Sequence, residues 1–139
     1  MKTGAVNHIG INTVNLKETE KFYQDIMKFS FMGEYDLGGD YVAFMKVNGT
    51  TVLELFRTDG TLRTYEPGDG NIGLKHVAFD VDDVDEWNVY LQEKGCRVTF
   101  GPADIEPIKK RVLLFQAPDN VILELSADMQ ETDKTAGGR

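Results

Sequence analysis

The feature that most restricts this chain is that its second half repeats its first. Residues 7–23 (NHIGINTVNLKETEKFY) lie over residues 75–91 (KHVAFDVDDVDEWNVYL) at a shift of 68. This places His8 on His76, Ile9 on Val77, Ile11 on Phe79, Leu16 on Val84, Glu18 on Glu86 and Phe22 on Tyr90. Residues 44–55 (FMKVNGTTVLEL) lie over 114–125 (LFQAPDNVILEL) at a shift of 70, and Glu54 falls on Glu124. The fold must therefore be one plan built twice. The matched histidines are the only 2 in the chain, so the repeat preserves chemistry as well as shape.

Each half reads as strand, helix and three strands. A period-two strand near 6–13, or 75–81, gives way to a helical pattern over 16–27, or 84–94. Leu16, Thr19, Phe22, Tyr23 and Ile26 share one side of the first helix. Val84, Trp87, Tyr90 and Leu91 do so on the second. Asn15 and Asp83 fit the N-caps, and Gly95 fits the end of the second helix. The remaining strands are expected near 30–36, 41–47 and 51–57, then near 96–100, 111–117 and 120–127. Turns fall at Gly38-Gly39-Asp40, at Asn48-Gly49 and at Pro118-Asp119-Asn120. The expected architecture is α+β: two tandem βαβββ modules, with the helix of each packed on the apolar face of its strands. The modules cover 1–57 and 75–127, a polar, Gly-rich linker covers 58–74, and 128–139 reads as a flexible tail.

Strand alternation decides where the repeated residues look. Ile9 and Ile11, and Val77, Phe79 and Val81, form apolar faces that must meet the helices. His8 and His76 then point to the other side, beside small or polar neighbours. Leu53 and Leu55, and Leu123 and Leu125, pack toward the helices by the same rule, which leaves Glu54 and Glu124 on the histidine side. A carboxylate inside a Val/Ile-Leu-Glu-Leu strand is expensive to bury without a positive partner. Two imidazoles and two carboxylates on one kind of sheet face compose a donor set for a divalent cation such as zinc, nickel, iron or manganese.

Charge and composition exclude other roles. Fifteen Lys and Arg against 23 Asp and Glu give a net charge of −8, which opposes nonspecific binding to nucleic acid or anionic lipid. A small-molecule or protein partner is expected, with no nucleic acid and no membrane. The N-terminus has no apolar targeting segment and no run is long enough to span a bilayer, so the expected location is the cytoplasm. Cys96 is the sole cysteine and reads as an ordinary structural thiol. The basic run Lys109-Lys110-Arg111 reads as a solvated edge.

The paired modules, with NHIGI beside KHVAFDV and VLEL beside PDNVILEL, resemble the vicinal oxygen chelate superfamily over about residues 5–127. The full His-Glu-His-Glu set most resembles its glyoxalase I branch. The resemblance implies one divalent ion per site held by His8, Glu54, His76 and Glu124, with nickel or zinc first and iron, manganese or cobalt also compatible. It also implies a homodimer, and that the two modules form a curved mixed sheet around the metal site with the helices on its outer face. The implied activity is that of a lactoylglutathione lyase-like lyase or isomerase, in which a proton moves next to a carbonyl through a metal-stabilised enediolate. A hemithioacetal of a 2-oxoaldehyde such as methylglyoxal would become a 2-hydroxyacyl thioester, with Glu124 and Glu54 as the catalytic carboxylates. Glutathione-dependent relatives carry an Arg four residues after the first ligand histidine. This chain has Asn12 there, which leaves the thiol open. Arg63, Lys75, Lys109, Lys110 and Arg111 are the cations that could hold an anionic tail. The alternatives are a methylmalonyl-CoA epimerase-like racemase or epimerase, whose usual Gln is replaced here by Glu54, and a non-catalytic small-molecule binder.

Overall fold

The computed structural model describes residues 1–60 and 72–130. Among these it has eight strands: β1 (His8–Thr13), β2 (Ser30–Asp36), β3 (Tyr41–Lys46), β4 (Val52–Arg57), β5 (Val77–Asp80), β6 (Val98–Ile105), β7 (Lys110–Gln116) and β8 (Ile122–Asp128). Helix α1 (Leu16–Lys21) follows β1, and α2 (Val84–Glu93) follows β5. The strands form two four-stranded mixed sheets, ordered β1-β4-β3-β2 and β5-β8-β7-β6. In each sheet the first strand runs parallel to the last, and the other neighbours are antiparallel. The expected tandem βαβββ plan is met as two sheets, one per module.

In the first sheet Ile9, Ile11, Leu53, Leu55, Ala43 and Met45 share one face, as the register pairs Ile9 with Leu53, Ile11 with Leu55 and Ala43 with Leu55. Helix α1 covers that face with Leu16 and Thr19, and Tyr23, Met27 and Phe29 complete the core. Each fully buried leucine there contributes about 1.5–3 kcal/mol of hydrophobic stabilisation. In the second sheet Val84 and Leu91 of α2 are buried, as are Leu113, Phe115, Leu123 and Leu125.

Local chemistry sets the helix ends. The Asn15 side chain accepts from the Glu18 N–H at 3.2 Å, and the Asp83 side chain accepts from the Glu86 N–H at 3.1 Å. Gly95, at φ 77°, ends the second helix, and the Cys96 N–H reaches back to the Leu91 carbonyl at 2.9 Å. The first helical stretch departs from the expected regular helix over 16–27: after Lys21 it widens into a π-helical segment, Phe22–Ile26. That widening lets Phe22 and Tyr23 meet edge to face with ring centres 5.1 Å apart, while Tyr23 stacks on Phe29.

Several boundaries move. β6 runs to Ile105, beyond the expected 96–100, with two register shifts along its pairing with β7. β8 continues to Asp128, where Lys110 pairs with it, one residue beyond the expected strand. Residues 61–71 of the expected linker and 131–139 of the expected tail lie outside the described residues. The chain divides into two compact units, one holding β1–β4 and α1, the other β5–β8 and α2. The turn Ala117–Val121, between β7 and β8, belongs to the first unit. There Asp119 receives the Thr13 hydroxyl at 2.6 Å, and Thr13 also bonds Thr19 at 2.6 Å.

Candidate metal centre

The parallel pairing of β1 with β4 sets Gly10 opposite Glu54 and His8 opposite Val52, so His8 and Glu54 stand on one face of the first sheet, diagonal to each other. That face lies opposite the one covered by α1. His8 Nε2 comes within 2.9 Å of Glu54 Oε2. In the second sheet β5 pairs with β8 through Ala78 and Glu124. His76 sits one residue before β5, and its Nε2 lies 3.2 Å from Glu124 Oε2. The repeat read in the sequence is thus a repeated imidazole–carboxylate pair, one in each module.

The glutamates differ in depth. The Glu54 side chain is 10% exposed and that of Glu124 18%, while the histidines are more open. Gly10 opposite Glu54 leaves the floor of the first pair free of a side chain. A Cβ at that position would meet the Phe56 ring at 3.5 Å.

The donor chemistry fits a divalent ion. His8 Nδ1 lies 2.8 Å from Asn7 Oδ1, an acceptor for an Nδ1–H, and this leaves Nε2 facing Glu54. A lone pair and a carboxylate oxygen 2.9 Å apart repel unless a proton or a cation lies between them. Adjacent N and O donors bound at about 2.0–2.2 Å and at right angles on one ion stand about 3 Å apart, as these do. Among the described residues no three or more His, Cys, Asp or Glu side chains gather to hold a metal ion. The candidate ligands come as two pairs.

Several other sequence candidates are engaged elsewhere. Arg111 donates through Nε and Nη2 to Asp85, both at 2.8 Å, and through Nη1 to Asp104 at 3.0 Å. Lys110 pairs with Asp128 at 2.5 Å and Lys109 with Glu106 at 3.2 Å. The basic run is therefore paired with carboxylates of its own module. Arg63 lies outside the described residues. Cys96 is partly buried, and burial pushes its thiol above the ordinary range, which suits a structural residue rather than a nucleophile. Asn12 occupies β1 beside Phe56 on the His8–Glu54 face. Sequence reasoning missed Asn7 as a partner of His8, although its place directly before the histidine in NHIG was the available signal. It also missed Phe44, which stands directly across from Glu54 and meets Tyr35 edge to face at 5.1 Å.

The chain belongs to the Glyoxalase/Bleomycin resistance protein/Dioxygenase superfamily, the vicinal oxygen chelate proteins, whose family model matches residues 5–125. It is 31% identical over 125 residues to the uncharacterized protein YwkD of Bacillus subtilis, covering 87% of this chain and 94% of that one. It is 27% identical over 128 residues to the metallothiol transferase FosB of Staphylococcus epidermidis, covering 90% and 82%. Among solved structures, a glyoxalase family protein from Enterococcus faecalis superposes with a TM-score of 0.75 at 26% identity, covering 88% and 97%. No helix among the described residues is long and apolar enough to cross a membrane.

Proposed function

We propose that the chain is a metal-dependent lyase or isomerase of the glyoxalase I type. Its substrate would be the hemithioacetal of a thiol and a 2-oxoaldehyde such as methylglyoxal, and its product a 2-hydroxyacyl thioester. His8, Glu54, His76 and Glu124 would hold one divalent ion per site, nickel or zinc first, with the two modules supplied by one chain or by two chains of a homodimer. The observation that carries this reading is the twice-repeated approach of an imidazole Nε2 to a carboxylate oxygen, at 2.9 and 3.2 Å. Membership of a superfamily with metal-dependent members supports it.

When bound, the ion supplies Lewis acidity at the carbonyl oxygen, which lowers the cost of removing the neighbouring proton. The remaining work falls to the carboxylates. Glu124 accepts the proton from the carbon bearing hydroxyl and sulfur and returns it to the adjacent carbonyl carbon. The hydroxyl proton passes to the other oxygen, so the product is an isomer of the hemithioacetal and no redox partner is required. Glu124 is the more open of the two carboxylates, which favours it as the mobile base. Glu54 is its counterpart in the first module.

The test is metal analysis of the purified protein followed by assays of nickel- and zinc-reconstituted enzyme with methylglyoxal and several thiols. Glu124→Gln keeps an oxygen donor but no base, so it should retain much of the metal and lose at least 100-fold in kcat, within the roughly 10²–10⁴-fold range of a general base. Wild-type turnover in that variant would sink the assignment. A second reading at the same site, a metallothiol transferase, is favoured by the FosB similarity over 90% of the chain. It predicts consumption of thiol and of an electrophilic co-substrate, with no thioester formed from methylglyoxal.

A further inference from the structure

The two histidines are matched by the repeat but not by their surroundings. His8 has both ring nitrogens engaged: Nε2 faces Glu54 and Nδ1–H donates to Asn7. The Asn7 backbone is held, because its main-chain carbonyl accepts the Val52 N–H at 3.2 Å and extends the β1–β4 ladder by one bond before the strand begins. The His8 side chain is 50% exposed, so little packing restrains its ring. Without Asn7, a half-exposed imidazole left with only its contact to Glu54 would sample several rotamers. His76 is more enclosed, with a side chain 29% exposed, yet its Nδ1 is buried with no hydrogen-bond partner. The residue before it is Lys75, whose side chain carries donors and no acceptor.

We propose that Asn7 is a positioning residue for His8: its side-chain oxygen holds the ring by Nδ1–H and presents Nε2 as the free donor nitrogen beside Glu54. The inference rests on the metal reading above only for what Nε2 would then bind. A ligand imidazole works best when its second nitrogen donates to an oxygen acceptor, which fixes ring orientation and tautomer and raises the basicity of the ligating nitrogen. The first module contains that acceptor. In the second, packing rather than a hydrogen bond to Nδ1 holds His76. The two half-sites are therefore unequal, with His8 oriented by chemistry and His76 by enclosure.

The experiment compares wild type, Asn7→Leu and Asn7→Asp. In metal-free protein, three-bond couplings at His8 report its χ1 rotamer. In zinc-loaded protein, ring ¹⁵N shifts report which nitrogen carries the proton, and a chelator competition reports zinc affinity. Asn7→Leu should show rotamer averaging at His8 and bind zinc about tenfold more weakly, the lower end of the range for losing such a partner because this contact is solvent-exposed. Asn7→Asp should restore the single rotamer and bind zinc at least as tightly as wild type. His76 signals should be unchanged in both variants. Asn7 is exposed and lies just before β1, so both variants should fold, with unfolding midpoints as the control. A single, unaltered His8 rotamer together with unaltered zinc affinity in Asn7→Leu would overturn the proposal. If wild type binds no divalent metal, the metal reading fails, and the metal-free rotamer comparison still decides the role of Asn7.

Discussion

Glu20 gives the sharpest prediction, because a carboxyl group lies against the core of the first module. It sits in α1, 8% exposed, and its Oε1 is buried without a partner. Lys17 Nζ stands 3.5 Å from its other oxygen, but Lys17 also pairs closely with Glu34 of β2, whose second oxygen receives the Tyr41 hydroxyl of β3 at 2.5 Å. Arg57 of β4 lies over the Tyr41 ring. Glu34 therefore has the better share of the donors. Burial, followed by the hydrogen bond and charge shared with Glu34, pushes Glu20 from 4.5 up to about 7. The hydrogen bonds from Glu20, Lys17 and Tyr41 hold Glu34 at about 2.

The sign of the stability change follows from linkage. Glu20 has a folded value above its unfolded one, so its contribution is fully present below pH 4.5 and is lost as pH rises through about 7. Glu34 has a depressed value, so its contribution is present above pH 4.5 and is lost as pH falls toward 2. The pair thus contributes most near pH 4.5–5. At about 1.4 kcal/mol per pH unit, the loss from Glu20 between that optimum and pH 8 amounts to at most ~3 kcal/mol. Glu20→Gln keeps a hydrogen-bond donor toward Glu34 and cannot ionise. Urea unfolding at pH 5, 6, 7 and 8 should give similar stabilities for the two proteins at pH 5, with the variant ahead by about 2–3 kcal/mol at pH 8. Parallel profiles for wild type and Glu20→Gln across that range would refute the reasoning.

Two further substitutions test the first module. The Tyr23 hydroxyl is buried with no partner while its ring packs between Phe22 and Phe29, so Tyr23→Phe should be neutral or stabilising, by up to about 1 kcal/mol in urea unfolding. Asp119 accepts the buried Thr13 hydroxyl and sits at φ 60°. Asp119→Ala should cost about 2–4 kcal/mol, from the lost charge-assisted bond and the left-handed backbone. Asp119→Asn, which tolerates that backbone and keeps an acceptor, should recover most of the loss in the same measurement.

Much of the candidate site was legible because it depends on alternation. In a strand the side-chain period is two, so placing Leu53 and Leu55 toward a helix forces Glu54 to the other face whatever else the fold does. The same rule set His8 apart from Ile9 and Ile11, and the repeat carried both results to His76 and Glu124. The caps at Asn15 and Asp83 were legible for a similar reason, since a cap acts within three residues of itself. The π-helical segment was not legible. Phe22, Tyr23 and Ile26 also suit a regular helix, and the wider turn accompanies ring packing of Tyr23 against Phe29 from beyond the helix.

By itself, then, the sequence determined the twofold βαβββ plan, the faces of the strands and the identity of the paired imidazoles and carboxylates. These follow from period, local capping and self-similarity, each readable within a short window. Tertiary structure decided which polar groups meet. Glu20 meets Glu34 across a helix–strand contact, Arg111 is clamped by Asp85 and Asp104, and Thr13 finds Asp119 at a separation of 106 residues. Such pairings depend on which surfaces the packed core brings together, and residue types at long separation carry no period that announces them.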